Sequence, residues 1–151
     1  MADINATLTN QSAINATILT DTAGINITIN GASATMSNRM NLTSGESLAA
    51  RDIIYRASDG KVYKAVNSSD EKEATGYVLT SVAADTSVLC YFGGGIISGF
   101  TGLTPNVRIF LSATPGSIST VTGSGVIVQQ IGRTLSDTEI IFEPQTAIGQ
   151  N

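Results

Sequence analysis

The chain has no histidine, no tryptophan and a single cysteine among its 151 residues. Without histidine there is no Ser-His-Asp or Cys-His nucleophile, no histidine-containing zinc site and no histidine pH switch. One cysteine makes no intramolecular disulfide. Cys90 lies in the apolar run Val88-Leu89-Cys90-Tyr91-Phe92 and reads as a small buried hydrophobe, with no base or cation beside it to activate a thiolate. The absence of tryptophan weakens a sugar-stacking role. Charge is scarce as well, at 13% of residues, about half the usual share of roughly a quarter. A net charge of -4 without a basic cluster argues against nucleic acid as a partner.

Long apolar runs are missing too. None approaches the roughly 20 residues that a membrane-crossing helix needs. The opening Met1-Ala2-Asp3-Ile4-Asn5 has neither the basic segment nor the apolar segment of a secretory signal. Asn-x-Ser/Thr triplets begin at Asn5, Asn10, Asn15, Asn26, Asn41 and Asn67. Without a signal they read as by-products of an Asn/Thr-rich β composition rather than as glycosylation sites.

What is present is strand pattern. Ile4-Asn5-Ala6-Thr7-Leu8-Thr9, Ile14-Asn15-Ala16-Thr17-Ile18 and Ile25-Asn26-Ile27-Thr28-Ile29-Asn30 align with starts 10 and 11 residues apart, and Ala32-Ser33-Ala34-Thr35-Met36 is a weaker fourth copy. Each alternates apolar and polar residues, the period of a half-buried strand. Short strands with one thin apolar face gain a core only by stacking on neighbours. Residues 1–40 are therefore expected to form a strand-repeat arm. Its apolar anchors are Ile4, Leu8, Ile14, Ile18, Ile25 and Ile29, facing sister subunits or a larger partner; an ordinary meander on the chain's own domain is the alternative.

Residues 41–151 read as a run of short strands. Asp52 to Ala57 and Lys61 to Val66 flank Ser58-Asp59-Gly60, where Asp-Gly predicts a type I′ hairpin. The polar stretch from Asn67 to Glu73 reads as a mobile loop. Further strands are expected over Gly76–Val82, Ser87–Phe92, Ile96–Phe100, Val107–Ser112, Ser117–Val121, Val126–Gly132 and Thr138–Glu143, with one helical turn at Ser44–Ala50. The fold class that follows is all-β, a barrel or sandwich preceded by the arm.

Features that resemble chemistry have plainer readings. Gly93-Gly94-Gly95 is followed by Ile96-Ile97, a strand, whereas a phosphate loop needs a helix N-terminus; a bulge or tight strand junction fits better. Asp59 has a turn role and Asp70-Glu71-Lys72-Glu73 reads as solvated. No Asp-x-Asp-x-Asp-Gly pattern marks a calcium loop. Tyr55, Tyr63, Tyr77, Tyr91, Phe92, Phe100, Phe110 and Phe142 fall mainly in strands and are expected in the core. No catalytic residue, cofactor or metal ligand is expected.

The order of motifs from Leu42 to Pro144 resembles phage head decoration, or capsid cement, proteins. The matching pieces are Ser44-Gly45 with Leu48, Asp52-Ile53-Ile54-Tyr55, Asp59-Gly60-Lys61-Val62-Tyr63-Lys64-Ala65 and Ala74-Thr75-Gly76-Tyr77-Val78-Leu79. They continue with Gly102-Leu103-Thr104-Pro105, Ile109-Phe110-Leu111-Ser112, Pro115-Gly116-Ser117-Ile118, Val128-Gln129-Gln130-Ile131-Gly132, Leu135-Ser136-Asp137-Thr138 and Phe142-Glu143-Pro144. Asn106 stands where such sequences commonly have glycine, and asparagine tolerates the left-handed backbone. The resemblance implies a barrel-like domain, a homotrimer and attachment to the major capsid protein on the outer surface of the virion, with assembly from protein made in the host cytoplasm and no nucleic acid or membrane partner. The Ile-Asn-Ala-Thr repeats also look like strand-repeat arms of head and tail fibres, so a fibre contacting the host surface is the second expectation and a lectin-like module the third.

Overall fold

The computed structural model describes residues 16–21, 24–29 and 39–150. The chain divides into two compact units, Met1–Ser37 and Asn38–Asn151. In the first, β1 (Ala16–Asp21) and β2 (Gly24–Ile29) pair antiparallel, with Asp21 opposite Gly24 and Ile18 opposite Ile27.

The second unit is built from two five-stranded antiparallel sheets. Across the first, the order is β3 (Arg39–Thr43), β7 (Ser87–Phe92), β6 (Gly76–Val78), β4 (Ile53–Arg56), β5 (Val62–Lys64). Across the second it is β10 (Ile118–Ser119), β9 (Arg108–Leu111), β12 (Gln130–Thr134), β13 (Glu139–Phe142), β8 (Gly95–Ser98). A short pair, β11 (Ile127–Val128) with β14 (Ile148–Gly149), stands apart from both. Among the described residues, no helix is long and apolar enough to cross a membrane.

Period-two alternation sorts the side chains into layers. From the second sheet Ile97, Ile109, Leu111, Ile131, Ile140 and Phe142 point inward and meet Ile53 and Tyr77 of the first. The first sheet is buried on its other face too. Ile54, Val62, Val78, Val88 and Cys90 pack there against Leu48, with Leu42, Val82 and Phe92 at the margin. This explains the doublets Ile53-Ile54 and Tyr77-Val78, which supply one residue to each face, as a doubly covered sheet requires. Each fully buried isoleucine contributes roughly 1.5–3 kcal/mol.

Hydrogen bonds also join the two sheets. Gln129 is 2% exposed. Its Nε2 donates to the Ala74 carbonyl at 3.0 Å and to the Gln145 carbonyl at 2.9 Å, while its Oε1 accepts from the Ala74 amide at 2.7 Å. Gly116 makes a second tie: its amide donates to the Ala65 carbonyl and its carbonyl accepts from the Ile53 amide, both at 2.9 Å. The architecture is thus a sandwich drawn together along its edges.

The all-β expectation holds, and several local expectations are corrected. Ser44–Ala50 makes no helical turn. Ser44, fully buried, donates through Oγ to the Ala83 carbonyl at 2.7 Å and accepts from the Thr86 amide at 3.2 Å, tying this stretch to the loop before β7. The Asp59-Gly60 hairpin is not type I′, because only Gly60 has positive φ (82°). The Gly60 amide bonds to the Ala57 carbonyl and the Ala57 amide to the Lys61 carbonyl, a three-residue loop ending in a left-handed glycine. The stretch expected to be a mobile loop is anchored: Asn67 is 1% exposed, donates its amide to the Ser112 carbonyl and accepts from the Ile127 amide, ahead of a single 3-10 turn at Asp70–Lys72 capped by Ser69. Burial also removes Asn67 as a glycan acceptor. The aromatic core is smaller than expected, for only Tyr77 and Phe142 are buried and the interior is mostly isoleucine, leucine and valine. Asn106 does take the left-handed backbone, at φ 63°, and Cys90 is fully buried.

Replacing Gln129 by alanine strands the Ala74 amide and carbonyl inside the protein. Gln129→Ala is expected to lower the unfolding free energy by about 2–4 kcal/mol, and Gln130→Ala, one residue on and half-buried, by less than about 0.5 kcal/mol. Urea denaturation of the two variants checks this.

Candidate functional site

The triple glycine sets up the most distinctive surface. Strand β7 ends at Phe92 in the first sheet and β8 starts at Gly95 in the second, so Gly93-Gly94 is the crossover between them. A side chain at Gly95 would collide with the Tyr77 hydroxyl. The crossover fixes β8 against β13 with Ile96 opposite Ile141 and Ile97 opposite Ile140. Ile97 is thereby buried and Ile96, on the outer face, is 57% exposed.

The same pleat carries across the sheet. Arg133 on β12 lies opposite Ile141 on one side and Arg108 on the other, so Arg108, Arg133, Ile141 and Ile96 form one row over four strands. Phe110 is half-buried in the next row, opposite Ser119 and Gln130. A bulge between Gln130 and Gly132 lets Ile131 point into the core while Arg133 stays outside. The Arg133 guanidinium donates to the side-chain oxygen of Asn106, a residue with a left-handed backbone. Among the described residues the ion pairs are Lys61 with Asp85 at 2.6 Å and Lys64 with Asp52 at 3.7 Å. Neither arginine of the row takes part in one. Two like charges set side by side without a counter-ion are unfavourable in the isolated protein and become favourable when an acidic surface covers them.

Other clusters have structural explanations. Tyr55 and Tyr63 stack with centroids 5.8 Å apart, and the Tyr63 hydroxyl donates to Asp59 Oδ2 at 2.7 Å. That bond, with the Lys61 amide on Oδ1, holds the Asp59 carboxyl below its usual range and raises the Tyr63 hydroxyl. Asp59 is thus a turn residue. Burial pushes the Cys90 thiol up, which keeps it neutral. Among the described residues no group of three or more acids and thiols is placed to hold a metal.

Of the residues singled out from the sequence as contact anchors, Ile4, Leu8 and Ile14 lie outside the described residues. Ile18 is in β1, and Ile25 and Ile29 are in β2, with Ile25 opposite Thr20 and Ile29 opposite Ala16. Sequence reading missed Ile96, Arg108, Phe110, Arg133 and Ile141. Alternation alone shows that one residue of Ile96-Ile97 faces outward. Which one does, and that two arginines 25 positions apart become neighbours, depends on strand register. No protein-family model and no curated protein matches this chain.

The register assigns opposite consequences to adjacent isoleucines. Ile97→Ala is expected to cost about 2–5 kcal/mol, and Ile96→Ala less than about 1 kcal/mol, in equilibrium denaturation. Equal costs would mean that the outer face is covered.

Proposed function

We propose that this protein is a structural component of a bacteriophage particle, decorating the outside of the head as a homotrimer and binding the major capsid protein across capsomer junctions. The observation that carries this reading is the outer face of the second sheet, where Ile96, Ile141 and Phe110 adjoin two arginines without counter-ions. Such a face suits an acidic, partly apolar patch on a protein shell. The resemblance of the ordered motifs between Leu42 and Pro144 to phage head decoration proteins is what points to a phage head as that shell.

The remaining features agree with a passive, stiff role. Short strands, a first sheet packed on both faces and edges tied through Gln129 and Gly116 give a scaffold with little freedom. A rigid binder loses less entropy on association. A protein that binds only the assembled shell stabilises it by mass action, and three copies around a symmetry axis multiply that effect. Residues 1–40 extend the contact to sister subunits through Ile4, Leu8, Ile14, Ile18, Ile25 and Ile29. The role needs no cofactor, nucleic acid or membrane.

The test is the copy number of this chain in purified virions relative to the major capsid protein. Near-stoichiometric abundance is expected. A handful of copies would favour a fibre, and absence would remove the virion reading. With empty shells, the Arg108→Glu/Arg133→Glu double variant is expected to bind roughly 100-fold more weakly with an unchanged melting midpoint, and deletion of residues 1–37, which leaves β3 whole, is expected to lower the oligomer mass.

A further inference from the structure

At one end of the sandwich the segment after β8 and the start of β10 close on the turn before β4. They enclose an open cleft of about 330 Å³, lined by Arg51, Asp52, Phe100, Gly116, Ser117 and Ile118. Arg51 has φ 74°, a left-handed backbone that a long side chain rarely adopts. The other non-glycine residues with positive φ among those described are Asp85 and Asn106, types that tolerate it.

The turn forces that conformation. The Ala49 amide donates to Asp52 Oδ2 at 2.8 Å, the Asp52 amide to the Ala49 carbonyl at 3.1 Å, the Ala50 amide to Ser81 Oγ at 3.0 Å and the Arg51 amide to the Val78 carbonyl at 2.8 Å. The side chain is thereby sent across the cleft, where its guanidinium carbon lies 5.9 Å from the centre of the Phe100 ring. Gly99, with φ 93°, lies beside the guanidinium: a side chain there would come within 2.7 Å of Arg51 Nη1.

Arg51 is exposed and joins none of the ion pairs among the described residues. Asp52, the acid on the same wall, is occupied by the Ala49 amide and faces Lys64. The cleft therefore presents a guanidinium placed in advance against an aromatic ring, beside the apolar wall of Ile118 and the Ser117 side chain. Strain retained at a pre-positioned side chain is a mark of binding sites, and a planar guanidinium suits a carboxylate in bidentate fashion.

We infer that this cleft is a carboxylate-binding site that receives an acidic side chain, Glu or Asp, from a protein partner. Naming the partner as the capsid shell rests on the reading proposed above; the carboxylate chemistry does not.

The test uses the full chain, labelled with 15N and titrated with N-acetyl-glutamate N-methylamide, a mimic of a glutamate side chain in a protein. Saturable shifts confined to the amides of Arg51, Gly99, Phe100 and Ser117 are expected, with millimolar affinity. Binding should weaken at least tenfold in Arg51→Gln, and N-acetyl-glutamine N-methylamide should produce no shifts. Absent shifts, or shifts that persist in Arg51→Gln, overturn the assignment. Arg51→Gly separates binding from packing: relieved of the left-handed strain, it is expected to match or exceed the parent's melting midpoint while losing the response. A lower midpoint would make Arg51 a packing residue and sink the proposal. Since the titration needs no shell, its failure removes the cleft alone, whereas shells that never bind the parent protein remove the decoration reading alone.

Discussion

The side-chain amide of Gln129 exchanges both an acceptor and a donor with the main chain of Ala74, as two paired strand residues do through their backbones. A sandwich of short strands has edges where main-chain groups face one another across a gap too wide for a ladder. Apolar contact brings the sheets together but satisfies none of those groups, and each one left buried and unpaired costs about 1–3 kcal/mol. Gln129 spans the gap from a position with no other freedom, because its own carbonyl already accepts from the Leu111 amide. Gly116 does the same between Ala65 and Ile53. Remove these ties and the isoleucine-rich core would still collapse, but with less to fix how the sheets lie.

Much of the fold was legible because it is local. Alternation located most strands, Gly93-Gly94-Gly95 located a junction, and the apolar run around Cys90 located a buried strand. What was not legible was anything that required knowing which strands are neighbours. Ser44–Ala50 has the composition of a helical turn, yet Ser44 bonds to Ala83 and Thr86 and Leu48 bridges to Val82, so the stretch is held by distant residues instead. Asn67–Glu73 is polar enough for a solvated loop, yet Asn67 is held by backbone bonds to Ser112 and Ile127, residues 45 and 60 positions away. Its Oδ1 is buried without a hydrogen-bond partner among the described residues, so sequence polarity was a poor guide there. The row of Arg108, Arg133, Ile141 and Ile96 is non-local in the same sense. No window of sequence contains it, and the pairing of β9, β12, β13 and β8 creates it.

The few charges of the protein are unevenly used. Lysines and acids pair at turns, as Lys61 does with Asp85, or hold turns shut, as Asp52 does for Ala49. No arginine among the described residues joins an ion pair; Arg51 itself has a left-handed backbone, and Arg133 donates to Asn106, which has one too. Exposed ion pairs contribute little to stability, so a lone unpaired arginine such as Arg51 costs the free protein little, whereas Arg108 and Arg133, set opposite each other, repel. Against an acidic partner the same group gains directional, charge-assisted bonds.

Core and surface are coupled at the crossover between the sheets. Gly95 has no side chain because the Tyr77 hydroxyl occupies that space. Tyr77 in turn stacks on Tyr91 at 5.2 Å and meets Phe142 edge-on at 5.3 Å, and burial raises its hydroxyl above the ordinary tyrosine range. Phe142 is the strand partner of Gly95, so the packing that seats Tyr77 also fixes the register that puts Ile96 beside Ile141 on the outer face. A one-residue slip of β8 would exchange the faces of Ile96 and Ile97 and turn the exposed Ser98 inward, placing a hydroxyl in the core. The outer face is thus specified from inside the protein, through Gly95, Tyr77 and the register of Ile96-Ile97.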